Sequence, residues 1–342
     1  MKAARLHDGA TTLVVEEIAA PVLRPGCILV DVESCFISPF AADMIAGGGH
    51  YTLPPRPFTP GMDAVGKVSA VADDVDGIAL GTRVYCDPLH QSAGPAGDED
   101  FGFIGSFAMG QQGARLLARW PDGGFAQKML LPAECAVAIP STIALKPEVL
   151  CRLGWLGTAY GGFLHAGLEA GQHVAVNGAA GVLGASAVLV ALAMGAARVY
   201  ALGRRRDVLD RIAALDPRVV AGETLPKDAR VDVVFSSVNA EDTTTIETLL
   251  PHVKRFGQVV ITGATGTPLP VRLGWLLVND IAIHGSLWFP RWAGPRLVGM
   301  IASGQLDLSA VTATTYRLAE IGKALAESRQ HYRGLNHVAI VT

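Results

Sequence analysis

Charge is scarce in this chain. Of its 342 residues, 17% are Asp, Glu, Lys or Arg, and the formal net charge is −3. That balance excludes a bulk electrostatic attraction to nucleic acid or to an anionic membrane surface, so neither is expected as a partner. Aromatic residues make up 6%, so aliphatic side chains and alanine supply most of the 50% hydrophobic content, the material of buried strands and helices. Cysteine is limited to Cys27, Cys35, Cys86, Cys135 and Cys151, with no CxxC pair. An odd, dispersed set argues against a disulfide framework and fits a reducing compartment, so the expected location is cytoplasmic. Polar residues interrupt the first segment, Met1 to Asp8, so no signal peptide is expected there. No internal repeat is evident.

One run is free of charge altogether. From Val174 to Ala197 there is no ionisable side chain, a length that could span a bilayer. The run also holds Asn177 and four glycines (178, 181, 184 and 195), which punctuate it. A fully buried strand followed by a buried helix has the same hydropathy, and that is the reading taken.

The length allows two domains. The first ~90 residues alternate β-branched runs, such as Ile28-Leu29-Val30-Asp31-Val32, with turns at Pro25-Gly26, Pro60-Gly61 and Asp73-Asp74, which suggests a largely antiparallel sheet. Residues 88–124 read as a long loop, rich in Gly, Ala and Phe, of a length that is often functional. From about residue 156 the rhythm becomes β-α-β, with strands expected at 173–177, 198–202, 231–235, 258–262 and 281–284. Such alternation predicts a parallel sheet with helices on both faces. The tail reads as a helix to Ser303, a strand near 312–317, a helix to Ser328 and a last strand at 336–341.

The chemistry is concentrated in Val174 to Gly184. A strand runs into Ala179-x-Gly181-x-x-Gly184 and then into a helix. Small residues are needed there because the turn is tight, the backbone must approach a pyrophosphate, and the helix must pack on the strand. The helix start, with Gly181, Val182 and Leu183, offers amides and a positive dipole end to phosphate. A second strand follows at the right distance and closes on Gly203, where NAD sites place an acid for the ribose hydroxyls. Glycine removes that acid, and Arg204 and Arg205 can bind a 2′-phosphate. Arginine is mildly unfavourable at a helix start, which favours a functional reading of this pair. NADP is therefore the expected cofactor.

These motifs resemble the medium-chain dehydrogenase/reductase superfamily, the alcohol dehydrogenase and quinone oxidoreductase group. The resemblance runs through Pro60-Gly61-Met62-Asp63, Gly81-Thr82-Arg83-Val84, Gly123-Gly124-Phe125-Ala126-Gln127, Thr158-Ala159-Tyr160, the cofactor turn, Gly285-Ser286 and Ser303-Gly304-Gln305-Leu306. It implies an α/β fold in which a doubly wound Rossmann domain, residues 156–287, is inserted in a mainly β GroES-like catalytic domain, residues 1–155 and 288–342. It also implies an active site in the cleft between the domains and a homodimer. Cofactor contacts carry over to Thr158, Gly263 and Ser286.

The departures from the family pattern are informative. The catalytic zinc ligands of the metal-dependent members fall on Ser38 or Phe40, on Met62, and near Gly154. Asp63 stands where the family has Glu. Serine, methionine and glycine cannot build a tetrahedral N/S site, and residues 88–124 lack the four cysteines of the family's structural zinc lobe, so no metal is expected. Cys35 and Cys151 lie close to the lost positions. His90 and His284 read as ordinary polar or core residues. With zinc gone, the resemblance to quinone reductases points to Ser38 and Tyr51 as hydroxyl donors to the substrate. Asp43, His50 and Trp288 are expected near an apolar substrate pocket, together with the 101–109 segment. The expected activity is zinc-independent, NADPH-dependent hydride transfer to a carbonyl, quinone or activated C=C bond on a small molecule. A zinc alcohol dehydrogenase with atypical ligands and a non-catalytic NADPH-binding redox sensor are the alternatives.

Overall fold

The computed structural model describes residues 1–48, 51–93, 99–108, 113–239, 243–263 and 266–342. They divide into two compact units. The first comprises Met1–Leu153, Thr312–Tyr332 and His337–Thr342; the second comprises Gly154–Val311 and Arg333–Asn336.

The first unit is built on an antiparallel sheet whose spine is the strand Cys27–Phe36. Ala64–Val71, Lys128–Pro132 and Asn336–Val341 all pair with it. The sheet continues through Arg83–Cys86 to Ala136–Ile139 on one side and to Thr312–Arg317 on the other. The spine is long and β-branched, and most of its side chains are buried, as expected for the centre of a sheet covered on both faces. The last strand reaches it from the far end of the chain, at Ala339↔Phe36 and Ile340↔Cys35, so this unit closes only when the C-terminus is present. The 88–124 segment is not a bare loop. Leu89–Ala93 and Glu99–Phe103 form an antiparallel ribbon, and Ala114–Arg119 forms a helix ending on buried Trp120.

The second unit carries a six-stranded parallel sheet. Counted along this unit its strands lie in the order 3-2-1-4-5-6: Val219–Gly222, Arg198–Leu202, His173–Asn177, Val231–Ser236, Val253–Ile261 and Ala282–Gly285. That is the doubly wound dinucleotide-binding order, with the switch point between the first and fourth strands. The expected strands at 173–177 and 198–202 form with those bounds. Val219–Gly222, a four-residue edge strand, adds to the expected set. The uncharged run resolves into the first strand and the helix Val182–Ala193, nearly all of it buried. Twelve residues rise roughly 18 Å, well short of a bilayer core. Among the described residues no helix is long and apolar enough to cross a membrane.

The units divide at 153/154 and 311/312, against the expected 155/156 and 287/288. The later return has a packing cause. Phe289 lies against the helix Leu153–His165 where Gly157 and Gly161 leave room for its ring. The helix Ala293–Ala302 buries Leu297, Val298 and Ile301, and Gln305 donates to the Ala193 carbonyl at 2.8 Å.

Candidate active site and dinucleotide cradle

The strand His173–Asn177 ends on a buried asparagine that ties the switch point together. Asn177 Nδ2 donates to Ser236 Oγ (3.2 Å) and Thr245 Oγ1 (3.3 Å), and Ser237 Oγ donates to the Asn177 carbonyl (3.0 Å). Gly178 then turns the chain with φ +88°, a conformation that L side chains rarely adopt. The amides of Gly178 and buried Ala179 both donate to the Leu202 carbonyl, at 3.0 and 2.9 Å, and so hold the turn on the second strand. A Cβ on Gly184 would meet the Gly178 carbonyl oxygen at 2.2 Å, so the helix packs directly on the turn. The helix starts at Gly181 with no side-chain cap, and an anion is the partner such an end accepts. At the ends of the fifth and sixth strands, Gly263 lies tight against Val238, and Ser286 has a buried Oγ with no hydrogen-bond partner among the described residues. The tight turn, the uncapped helix and the orphan hydroxyl fit a bound dinucleotide.

Gly203 follows the second strand, and Arg204 is exposed, with no hydrogen bond or ion pair among the described residues. Arg205 is partly spent on structure, donating from Nη2 to the Ala180 carbonyl. Burial, followed by the positive charge of Arg333, lowers its pKa, and Asp207 partly offsets this. Arg206 faces away in an exposed pair with Asp210 (2.8 Å). Arg333, the residue that sequence reasoning missed, reaches this corner through the short segment Arg333–Asn336, with Nη1 3.9 Å from Asp207 Oδ2. No local motif marks it; the fold alone places it beside Arg205. Thr158, expected as a cofactor contact, lies inside the helix Leu153–His165, where its hydroxyl donates to the Gly154 carbonyl at 2.9 Å.

In the first unit, Ser38, Phe40, Met44, Met62 and Phe125 line a small, mostly apolar cavity. Ser38 is buried, and among the described residues its hydroxyl bonds to nothing. Tyr51 is half-buried in an aromatic cluster, with its ring centroid 4.6 Å from Phe107 and 5.9 Å from Phe40. Phe107 packs at a tilt against Phe103, with ring centroids 4.9 Å apart, and extends the aromatic cluster around Tyr51. Burial, and secondarily Asp43, raises the Tyr51 pKa and keeps the phenol protonated. Asp43 is exposed on the short helix Ala41–Ile45. The structure thus groups Ser38, Asp43 and Tyr51. His50 lies outside the described residues. Trp288 belongs to the second unit, stacked on Phe289 at 5.1 Å.

The lost ligand positions do not fit a zinc ion. Ser38 and Met62 offer a hydroxyl and a thioether, and Gly154 offers no side chain. Cys35 and Cys151 do not replace them. Cys35 Sγ donates to the Met62 carbonyl (3.0 Å) and Cys151 Sγ to the Glu148 carbonyl (3.1 Å). Burial raises both pKa values and disfavours the thiolate that a metal needs.

Comparison with known proteins agrees with this architecture. The alcohol dehydrogenase GroES-like domain family matches residues 24–141. An alcohol dehydrogenase of Geobacillus stearothermophilus is 26% identical over 337 residues, covering 96% of each chain. The chain thus carries an alcohol dehydrogenase GroES-like domain and is similar over nearly its whole length to alcohol dehydrogenases. An acryloyl-coenzyme A reductase of Metallosphaera sedula is 25% identical, over 94% of this chain and 95% of that one. A Sinorhizobium meliloti 1021 protein, described as a zinc-binding dehydrogenase and solved with NADP, shares the fold at TM-score 0.83 and 23% identity, over 100% of this chain and 99% of its own. These relatives are named as oxidoreductases, and the Sinorhizobium protein was solved with a nicotinamide cofactor.

Proposed function

We propose that this protein is a zinc-independent, NADPH-dependent reductase of a carbonyl, quinone or activated C=C bond. The observation that carries the cofactor choice is the end of the strand Arg198–Leu202. It closes on Gly203, with no acid to repel a phosphate, and beside it stand the exposed Arg204 and the Arg205–Arg333 pair. A 2′-phosphate would relieve the mutual repulsion of those guanidiniums through charge-assisted bonds.

When bound, the nicotinamide supplies the hydride. The chain's own residues orient the cofactor and stabilise charge on the substrate. The Gly178–Gly184 turn and the uncapped helix hold the pyrophosphate, and Ser286 Oγ gains a partner. Ser38 donates a hydrogen bond to the developing oxyanion. Tyr51, held protonated, donates a second bond and can release its proton to the substrate. The aromatic cluster around Tyr51 excludes water and suits an apolar small molecule.

The test is NADPH oxidation against a panel of an aldehyde, a quinone and an enone, with Arg204→Ala in parallel. The variant is expected to weaken NADPH binding by about tenfold and to leave NADH binding unchanged. Equal loss for both cofactors, or none for either, removes the phosphate argument. NADPH binding without turnover on any substrate favours the redox sensor.

We also propose a homodimer through the open edge of the parallel sheet. Ala282–Gly285 is an edge strand, and the preceding helix, Leu273–Asn279, buries none of its residues. Leu273 and Leu277 are each 78% exposed and Val278 71%, an apolar patch beside a strand paired on one side only among the described residues.

A further inference from the structure

Among the described residues, one group of metal-ligating side chains converges, and it lies outside the cavity of Ser38 and Tyr51. His90 comes from the ribbon strand Leu89–Ala93. Glu134 and Cys135 come from the single turn Ala133–Cys135 that leads into the sheet strand Ala136–Ile139. Their ligand atoms all lie within 4.8 Å of one another. His90 Nδ1 is 3.3 Å from Glu134 Oε1 and 3.9 Å from Cys135 Sγ.

We propose that His90, Glu134 and Cys135 form a zinc site that staples the ribbon to the sheet. The spacing is that of ligands around an ion. At tetrahedral zinc, with bonds of ~2.0–2.1 Å to N and O and ~2.3 Å to S, the N to O edge is about 3.3 Å and the N to S edge about 3.6 Å. The first edge is met, and the second closes with a shift of a few tenths of an ångström. Glu134 Oε1 and Cys135 Sγ both approach the same ring nitrogen, and Cys135 Sγ also donates to the Leu89 carbonyl at 3.6 Å. A cation at their centre would take a lone pair from each of the three groups, with the thiol proton released to solvent. An imidazole, a carboxylate and a thiolate form the donor set of a borderline ion such as Zn²⁺ rather than of Mg²⁺ or Ca²⁺.

The surroundings make the site rigid on one side and open on the other. Cys135 is 1% exposed, and its carbonyl accepts the Asp87 amide at 2.9 Å. The His90 ring meets the Trp120 ring edge-on at 5.5 Å. The Glu134 side chain is 49% exposed, which leaves a fourth position to solvent. A metal here would bind the ribbon to the sheet in place of a loose ion pair between a histidine and an exposed glutamate.

The experiment is a zinc titration of the full-length protein, stripped with a chelator and desalted, in competition with a chromophoric chelator. His90→Gln, Glu134→Gln and Cys135→Ser are run beside the wild type. The wild type is expected to bind one zinc per chain and to melt at a higher temperature with zinc than without. Each variant should bind about tenfold more weakly or worse. Glu134→Gln changes an exposed side chain and keeps the test valid if Cys135→Ser does not fold; NADPH binding by each variant reports its folding. No competition by the wild type would show that the cluster is only an ion pair, and the proposal would be wrong. Equal zinc binding by wild type, His90→Gln and Glu134→Gln would place the ion elsewhere and overturn it equally.

Discussion

Asp63 is a buried acid in a left-handed backbone conformation, φ 58°. Tyr85 donates its hydroxyl to Oδ1 at 2.6 Å, while Oδ2 is buried without a partner among the described residues. Burial pushes its pKa up to about 7; the Tyr85 bond opposes the shift and the Asp87 charge adds to it. The folded state therefore holds this proton more tightly than the unfolded chain, where the value is 3.8. The stabilising effect is complete below the unfolded value, declines as pH rises through the window between, and is gone above about 7. Asp63→Asn keeps an acceptor for Tyr85 and suits the left-handed backbone. It should flatten the fall in melting temperature between pH 5 and 7 (~2 units), with stability at pH 8 equal to or above that of the wild type. An unchanged slope would mean that Asp63 does not titrate there. At the proposed active site, Tyr51→Phe keeps the ring contacts and removes the hydroxyl. Turnover is expected to fall by about 10²-fold with NADPH affinity unchanged, read by steady-state kinetics and fluorescence titration. Full activity would remove Tyr51 from the reaction.

At the scale of elements, the cofactor turn is the most constrained place in the chain. Gly184→Ala would drive a methyl into the Gly178 carbonyl, and small-to-large changes at such contacts cost about 1–3 kcal/mol. The expected result is a lower melting temperature together with weaker dinucleotide binding; a variant matching the wild type in both would show that the helix can move off the turn. The strands bounding this turn were legible because each is a short apolar run closed by small residues, and both match the expected bounds. Val219–Gly222 was not legible, since four residues between turns carry little periodicity and only pairing with Arg198–Leu202 makes them a strand. The ribbon of Leu89–Ala93 and Glu99–Phe103 was hidden for a similar reason, since no regular alternation of its residues announces the cross-strand pairing.

For the whole molecule, the proposed homodimer rests on the open edge of the parallel sheet. Leu277→Asp places a charge in the exposed apolar patch, and size-exclusion chromatography should then show a monomer where the wild type runs as a dimer. A variant that stays dimeric would move the interface elsewhere. Fold class and cofactor class were written in the sequence, because they rest on local steric and periodic rules: a tight small-residue turn between a strand and a helix, and strands alternating with helices. The absence of an acid at Gly203 and of zinc ligands at Ser38, Met62 and Gly154 could also be read directly, since a side chain of the wrong chemistry is wrong in any fold. Tertiary structure decided the rest. It brought Arg333 to Arg205, spent part of Arg205 on the Ala180 carbonyl, set Tyr51 among Phe40 and Phe107, and drew His90 to Cys135. Each joins residues that only chain closure brings together, and contacts of that kind leave no periodic trace in a sequence.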